Sequence, residues 1–451
     1  MSKQKIQLSD HFDYSRLLRF VLPCVGTMLF TSIYGIVDGL CVSNFVGKTA
    51  FAAVNLIMPV PMLVGSVGFM LGTGGSAIVG ITLGEGDREK ADRYFSLFVW
   101  TGLVAGLLLA VVGFFAVRPA ASLLGAKGEM LDYAVRYGRL LMACLPFFIL
   151  QNMFQSFFVT AENPHLGFAF TVAAGVTNMV LDVVLVGMLH GGVEGAAIAT
   201  FISQAVGGVL PVFYFLSRRS TSSIHLGRAQ WNGGVIRSAC INGSSELMTN
   251  LSMSLVNILY NYQLLRFAGE NGVAAYGVIM YAAFLFVAVF VGYAVGSAPI
   301  VSYHYGARNH AELNNLYSKS LRLIGVIAVV MTALSMLVIP YVARIFVGYD
   351  AELLALTSHA FRVYALNFFL MGFNVYGSSF FTALGDGVTS ALISFLRTLL
   401  FQLLALIFLP MVLGIEGVWL AVTAAEAGAL CVTVLMFITK DKVFHYRKVS
   451  C

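Results

Sequence analysis

Charge is what this chain has least of. Asp, Glu, Lys and Arg together supply 11% of its 451 residues, 59% are hydrophobic and mean hydropathy is +0.86, whereas ordinary soluble domains use about a quarter charged residues. So few charges cannot cover a water-soluble surface of this size, which excludes a soluble globular domain and places most of the chain in lipid. Cysteine is also sparse. Cys24, Cys41, Cys144, Cys240, Cys431 and Cys451 show neither zinc-ligand spacing nor a disulfide framework and read as small buried hydrophobes. The first sixteen residues have no apolar core followed by a small-residue cleavage site, so no signal peptide is expected. The glycine-rich stretch 68–75 has no following Lys-Ser/Thr, which speaks against a phosphate loop and for close helix packing.

What the chain has in abundance is long apolar runs. At about 20 residues per crossing, twelve spans are expected near 17–42, 52–80, 96–118, 134–158, 167–189, 195–217, 238–264, 273–302, 320–342, 358–383, 389–413 and 416–438. The fold class is therefore an all-α membrane protein. Lys and Arg concentrate on one side of this map: Lys3, Lys5, Arg16, Arg19, Arg88, Lys90, Arg93, Arg218, Arg219, Arg228, Arg237, Arg308, Lys319, Arg322, Lys440, Lys442, Arg447 and Lys448, against Lys48, Arg118, Lys127, Arg136, Arg266 and Arg344 on the other. The bias predicts cytoplasmic N- and C-termini. It also accounts for the net charge of +6 without a nucleic-acid partner.

The chain reads as a duplication. A shift of 222 positions aligns Ala52-Ala-Val-Asn-Leu-Ile-Met58 with Ala274-Ala-Tyr-Gly-Val-Ile-Met280, Gly84 with Gly306, and Gly192-Val-Glu-Gly195 with Gly414-Ile-Glu-Gly417. Near the fourth span the shift becomes 223, pairing Glu129 with Glu352 and Arg139 with Arg362. An offset of six helices makes the repeat parallel, with binding expected between the halves. The expected organisation is an N-lobe over 1–217, a cytoplasmic linker over 218–237 and a C-lobe over 238–451, two pseudo-symmetric six-helix lobes around a central cleft.

Asp182 sits in the middle of the apolar run 171–189, with Asn178 one helical turn earlier and on the same face. At about 1.5 Å per residue, Asp182, Asp38 and Thr200 lie roughly 12, 9 and 8 Å from the outer ends of their spans. Carboxylates at such depth are expensive and mark ion or proton pathways by default. Two of them together either share a proton or coordinate a cation, and an amide and a hydroxyl would complete a hard-oxygen shell. The bland alternative, a helix–helix hydrogen bond, is usually made by Ser, Thr or Asn rather than an acid. The repeat supplies a control, because the 222 shift maps Asp38, Asn178, Asp182 and Thr200 onto Tyr260, Leu400, Leu404 and Val422. The scaffold was copied and the polar group was not.

Pro23 followed by Asp38, then Asn178-x-x-x-Asp182 and Thr200, resembles the N-lobe cation site of the multidrug and toxic compound extrusion (MATE) family, and the resemblance covers nearly the whole chain. It implies a secondary antiporter of the bacterial cell (inner) membrane, exporting amphipathic, often cationic compounds against Na⁺ or H⁺. Asp38, Asn178, Asp182 and Thr200 would hold the coupling ion, no other cofactor is implied, and a monomer is expected. Pro23 would bend the first helix. The C-lobe departs from the NorM branch, since the seventh span offers only Glu246 and the tenth Asn367 and Asn374. Ser245 stands at the repeat position of Pro23, so bending is expected in the N-lobe alone, and no second cation site is expected.

Other intramembrane polar residues admit bland readings. Glu246 stands between a solvated helix start and a functional role, Glu426 between structure and lining the inter-lobe cavity, and Arg397, roughly 13 Å inside its span, between snorkelling and pairing with an acid. His190, His225, His304 and His310 are expected in solvated loops. An enzyme is not expected: Tyr349-Asp350 and Leu384-Gly385-Asp386 faintly resemble intramembrane aspartyl proteases but fall in loops. A flippase for lipid-linked precursors is the stronger rival, although such cavities tend to be strongly cationic and only Arg139, Arg362 and Arg397 lie deeper in the spans than their end residues.

Overall fold

With no water to satisfy it, the backbone of an apolar run must bond to itself, and helices do this segment by segment. The computed structural model describes residues 6–46, 48–217 and 221–447, with backbone alone at 40–44 and 48. The side chains of Lys3, Lys5, Cys41, Lys48, Arg218, Arg219, Lys448 and Cys451 lie outside the described residues.

The first half contains α1 (Tyr14–Phe45), α2 (Lys48–Ile57), α3 (Pro59–Gly84), α4 (Arg88–Leu123), α5 (Gly128–Ala143), α6 (Leu145–Thr160), α7 (Pro164–Leu181) and α8 (Gly192–Leu216). The second contains α9 (Gly233–Asn242), α10 (Ser244–Gly306), α11 (His310–Val347), α12 (Ala351–Ala365), α13 (Phe368–Ala383), α14 (Gly387–Phe395), α15 (Phe401–Leu413), α16 (Ile415–Thr439) and α17 (Asp441–Phe444). Among the described residues, nine helices are long and apolar enough to cross a membrane, or eleven when the bent pairs α5–α6 (54°) and α12–α13 (46°) each count as one span. The 63-residue α10 is broken at Gly269 (φ 60, ψ −148) and supplies two passes, which makes the twelve expected.

The duplication is visible in the backbone. The fourth span of each half is bent; the fifth of each also holds a π-helical stretch, but not at shifted positions, Asp182–Met188 after α7 and Leu396–Leu400 after α14. Positive φ recurs at the shifted positions Gly192 (58°) and Gly414 (59°), and at Gly86 (87°) and Arg308 (54°). The helical break at the start of the second half falls at Gly243, between α9 and α10, while α1 runs through Pro23 without interruption. At this break Gly243 packs so tightly on α3 that a Cβ there would strike the Met70 carbonyl.

The halves meet along the end that carries the chain termini. A Cβ at Gly74 would strike the Ala239 carbonyl, one at Gly84 the Tyr303 carbonyl and one at Gly306 the Ile81 carbonyl, so α3 lies backbone to backbone against α9 and the end of α10. At the opposite end, a Cβ at Gly35, Gly39 or Gly277 would meet nothing within 4 Å. The N-terminal segment closes over the seam: Leu8 N–H donates to Glu162 at 2.8 Å, Phe12 N–H to Glu312 at 2.9 Å, and Lys319 to the Phe12 carbonyl at 2.7 Å. Beneath it lies His304, expected in a solvated loop but 2% exposed inside α10 and edge-on to Phe12. The span map ended that helix too early, and the covering segment is remote in sequence. His190 and His310 are exposed, and His225 is half-buried.

Gly306→Val is expected to pry this seam open, because overpacking a tight contact costs about 1–3 kcal/mol. Spin labels placed on exposed loops of the two halves at the terminal end should report a longer mean distance than in the parent protein; an unchanged distance would contradict a backbone-tight seam.

Candidate functional site: paired carboxyls and a central cavity

Four helices of the first half converge on one buried spot. The Asp38 carboxyl of α1 and the Asp182 carboxyl, at the start of the π-helical stretch, lie within hydrogen-bonding reach of each other. Asp182 is 0% exposed, and neither of its oxygens nor Asp38 Oδ1 meets a hydrogen-bond donor among the described residues. The π-helical turn is wider than an α turn, a form often seen at functional sites, and it carries Asp182 on its first residue. Asn178 is buried one turn earlier on α7.

Tyr137 of α5 completes the group and was not singled out from sequence. Its ring is fully buried, it faces both carboxyls, and its hydroxyl lies within hydrogen-bonding reach of Thr200 on α8. Thr200 in turn donates to the Ala196 carbonyl at 3.1 Å. Tyr34, one turn before Asp38, faces it too. The repeat control would have flagged Tyr137, because the 223 shift maps it onto Ala360. Asp38, Asp182, Tyr137 and Thr200 therefore form one cluster, with Asn178 adjacent along its helix. Two acid groups and two hydroxyls without enough donors can share a proton or accept a hard cation. No group of three His, Cys, Asp or Glu residues suited to a metal exists among the described residues.

The corresponding place in the second half is filled. Tyr260, at the repeat position of Asp38, is 1% exposed and stacks on Tyr276 with centroids 4.8 Å apart. The polar residues of this half cluster elsewhere, beside a cavity of about 110 Å³ between the halves. Its walls bring hydroxyls from both sides, Thr73 and Ser76 from α3 and Thr249 and Ser379 from α10 and α13, together with Glu246 and Arg397. Glu246 stands in the first turn of α10, directly after the Gly243 break, and that turn forms part of the cavity wall.

Glu426 departs from the cavity-lining reading. It is 0% exposed and does not border the cavity. Asn374 Nδ2 donates to its Oε2 at 2.7 Å, Thr433 donates to Asn374 Oδ1 at 2.8 Å, and Arg397 Nε lies 3.1 Å from Oε1 as an ion pair too bent for a good hydrogen bond. Arg397 thus pairs with an acid rather than snorkelling. A desolvated charge is retained when another group compensates it. Asp350 and Asp386, weighed above as protease aspartates, instead cap α12 and α14 through the Leu353 and Thr389 backbone N–H groups at 3.1 and 3.2 Å.

Comparison with known proteins follows the same division into halves. The MatE family model matches residues 23–184 and again 247–407. The multidrug export protein MepA of Staphylococcus saprophyticus subsp. saprophyticus is 22% identical over 434 residues, covering 95% of each chain. The crystal structure of MATE in complex with MaL6 superposes with a TM-score of 0.92 at 24% identity, covering 98% of this chain and 100% of that one. An outward-facing multidrug resistance MATE family transporter of the MOP superfamily gives 0.91 at 25% identity, covering 99% of both.

Asp182→Asn tests the unsatisfied pair directly. The new amide would donate to Asp38 and remove a buried acid, gaining about 1–2 kcal/mol and raising the melting temperature in detergent by about 2–4 °C. A lowered melting temperature would show that the pair is already satisfied.

Proposed function

The chain belongs to the MatE family, and we propose that it works there as a secondary antiporter: an amphipathic, often cationic compound leaves the cell as Na⁺ or H⁺ enters down its gradient. The observation that carries this reading is the pair of acid side chains, Asp38 and Asp182, held in contact without donors inside an apolar bundle. Such a pair gains most from a bound cation or proton. Asp38, Asn178, Asp182 and Thr200 would carry the coupling ion, with Tyr137 as a further hydroxyl.

The cargo class is supported by the relatives named for multidrug export and by a cavity reached from both halves. The Lys and Arg bias supports cytoplasmic termini; in that orientation the tight seam would seal the cytoplasmic side and the cleft would face outward. The protein would act as a monomer in the cell membrane, alternating access between its lobes, with no cofactor beyond the coupling ion. A potential of 100 mV contributes about 2.3 kcal/mol for each charge moved inward, enough to bias exchange between two states. The cavity has one arginine beside one glutamate, which argues for an exporter over a lipid-precursor flippase needing a strongly cationic pocket.

Reconstituted vesicles should expel a fluorescent organic cation when a Na⁺ gradient or a pH gradient is imposed, and the two gradients applied separately identify the ion. Asp38→Asn and Asp182→Asn are each expected to abolish this flux while membrane insertion stays normal. Parent-level flux in either variant removes the assignment.

A further inference from the structure

We propose that the central cavity is built for amphoteric substrates, with Arg397 receiving a carboxylate and Glu246 the ammonium of the same molecule. The proposal rests on the export reading and names its substrate class. Its starting point is Arg397, a cation carried on the π-helical stretch of the second half's fifth span and bordering the cavity.

Arg397 is committed on one side only. Its Nε faces Glu426, whose other carboxyl oxygen is taken by Asn374. Glu426 is therefore a positioning residue that fixes the guanidinium from behind. No described residue accepts from the two terminal Nη nitrogens, and the side chain, 13% exposed, borders the cavity. A guanidinium presents a planar fork matched to a carboxylate. Across the same cavity, the Glu246 carboxyl has no hydrogen-bond or ion-pair partner among the described residues, and it lies close enough to Arg397 to feel its charge.

The cavity thus offers a donor fork and an acceptor side by side, set among hydroxyls that tolerate varied polar groups. A plain cation would use Glu246 and leave the fork facing water. An amphoteric ligand satisfies both, and each charge-assisted hydrogen bond is worth about tenfold or more in affinity.

Dansyl-lysine, a fluorescent amine bearing a free carboxylate, and its methyl ester differ in the carboxylate alone. With the full-length protein in nanodiscs, the acid is expected to bind at least about tenfold more tightly than the ester. Arg397→Gln leaves Glu426 buried without a partner and is therefore combined with Glu426→Gln; this double variant should bring the ratio near one. Arg397→Lys keeps the charge but loses the fork and should retain a reduced preference, which serves if the double variant does not fold. Glu246→Gln should weaken acid and ester alike and leave their ratio intact. Equal binding of acid and ester by the parent protein, or an unchanged ratio in the double variant, overturns the proposal. Gradient-driven export of the ester with no acid preference sinks this inference and spares the antiport reading. Acid preference without any gradient-driven flux does the reverse.

Discussion

Asp182 is completely enclosed, touches a second carboxyl, and finds no donor for either oxygen. Burying an acid this way without compensation is among the most unfavourable arrangements available inside a membrane. The surrounding helices hold it there nonetheless: a wide helical turn projects Asp182, α1 brings Asp38 alongside, and α5 and α8 add the hydroxyls of Tyr137 and Thr200. On the antiport reading proposed above, a proton or cation would relieve so unfavourable a contact. The rest of the first half is the frame that keeps the two acids from moving apart.

Much of the frame was legible in the chain. Apolar runs fixed the crossings, because lipid imposes length and composition directly, and the repeat was readable as one offset across six helices. That Asp38, Asp182 and Thr200 stand at a common level along their helices was also accessible, since the rise per residue is constant. Rotation about each helix axis is not constant information of this kind, which is why Tyr137 escaped: it reaches the acids only through the packing of α5 against its neighbours. The same limit hid the pairing of Arg397 with Glu426, residues on different spans whose meeting depends on azimuth. His304 was misplaced for another reason. Its burial comes from an N-terminal segment some three hundred residues earlier, which no local pattern announces.

The comparison between halves shows what duplication preserved. Backbone features survived at the shifted positions, including the positive φ of Gly192 and Gly414 and the bent fourth spans. Side-chain chemistry diverged. Where the first half has Asp38, the second has Tyr260 stacked on Tyr276, and its ionisable residues moved toward the cavity between the halves. One half therefore concentrates acid groups within its own core and the other concentrates a mixed pair at the shared wall. A single ancestral geometry came to hold two chemically different pockets, and neither needed a change in topology.

These pockets are tied mechanically through α1. Asp38 lies toward the C-terminal end of α1, and about 20 Å along the same rod Val21, Cys24 and Val25 press against Gly292 and Gly296 of α10, where an added Cβ would strike the Val25 backbone or the Val21 side chain. Val291, Ala294 and Val295 on that stretch of α10 form part of the cavity wall. With no side chain on those glycines to absorb a displacement, a shift or rotation of α1 near Val25 cannot occur without moving the wall. Pro23 lies at this contact, and its missing backbone donor makes it the place where α1 resists distortion least. On the antiport reading, relief of the acids at one end of α1 would be felt at its other end as a change in the shape of the cavity.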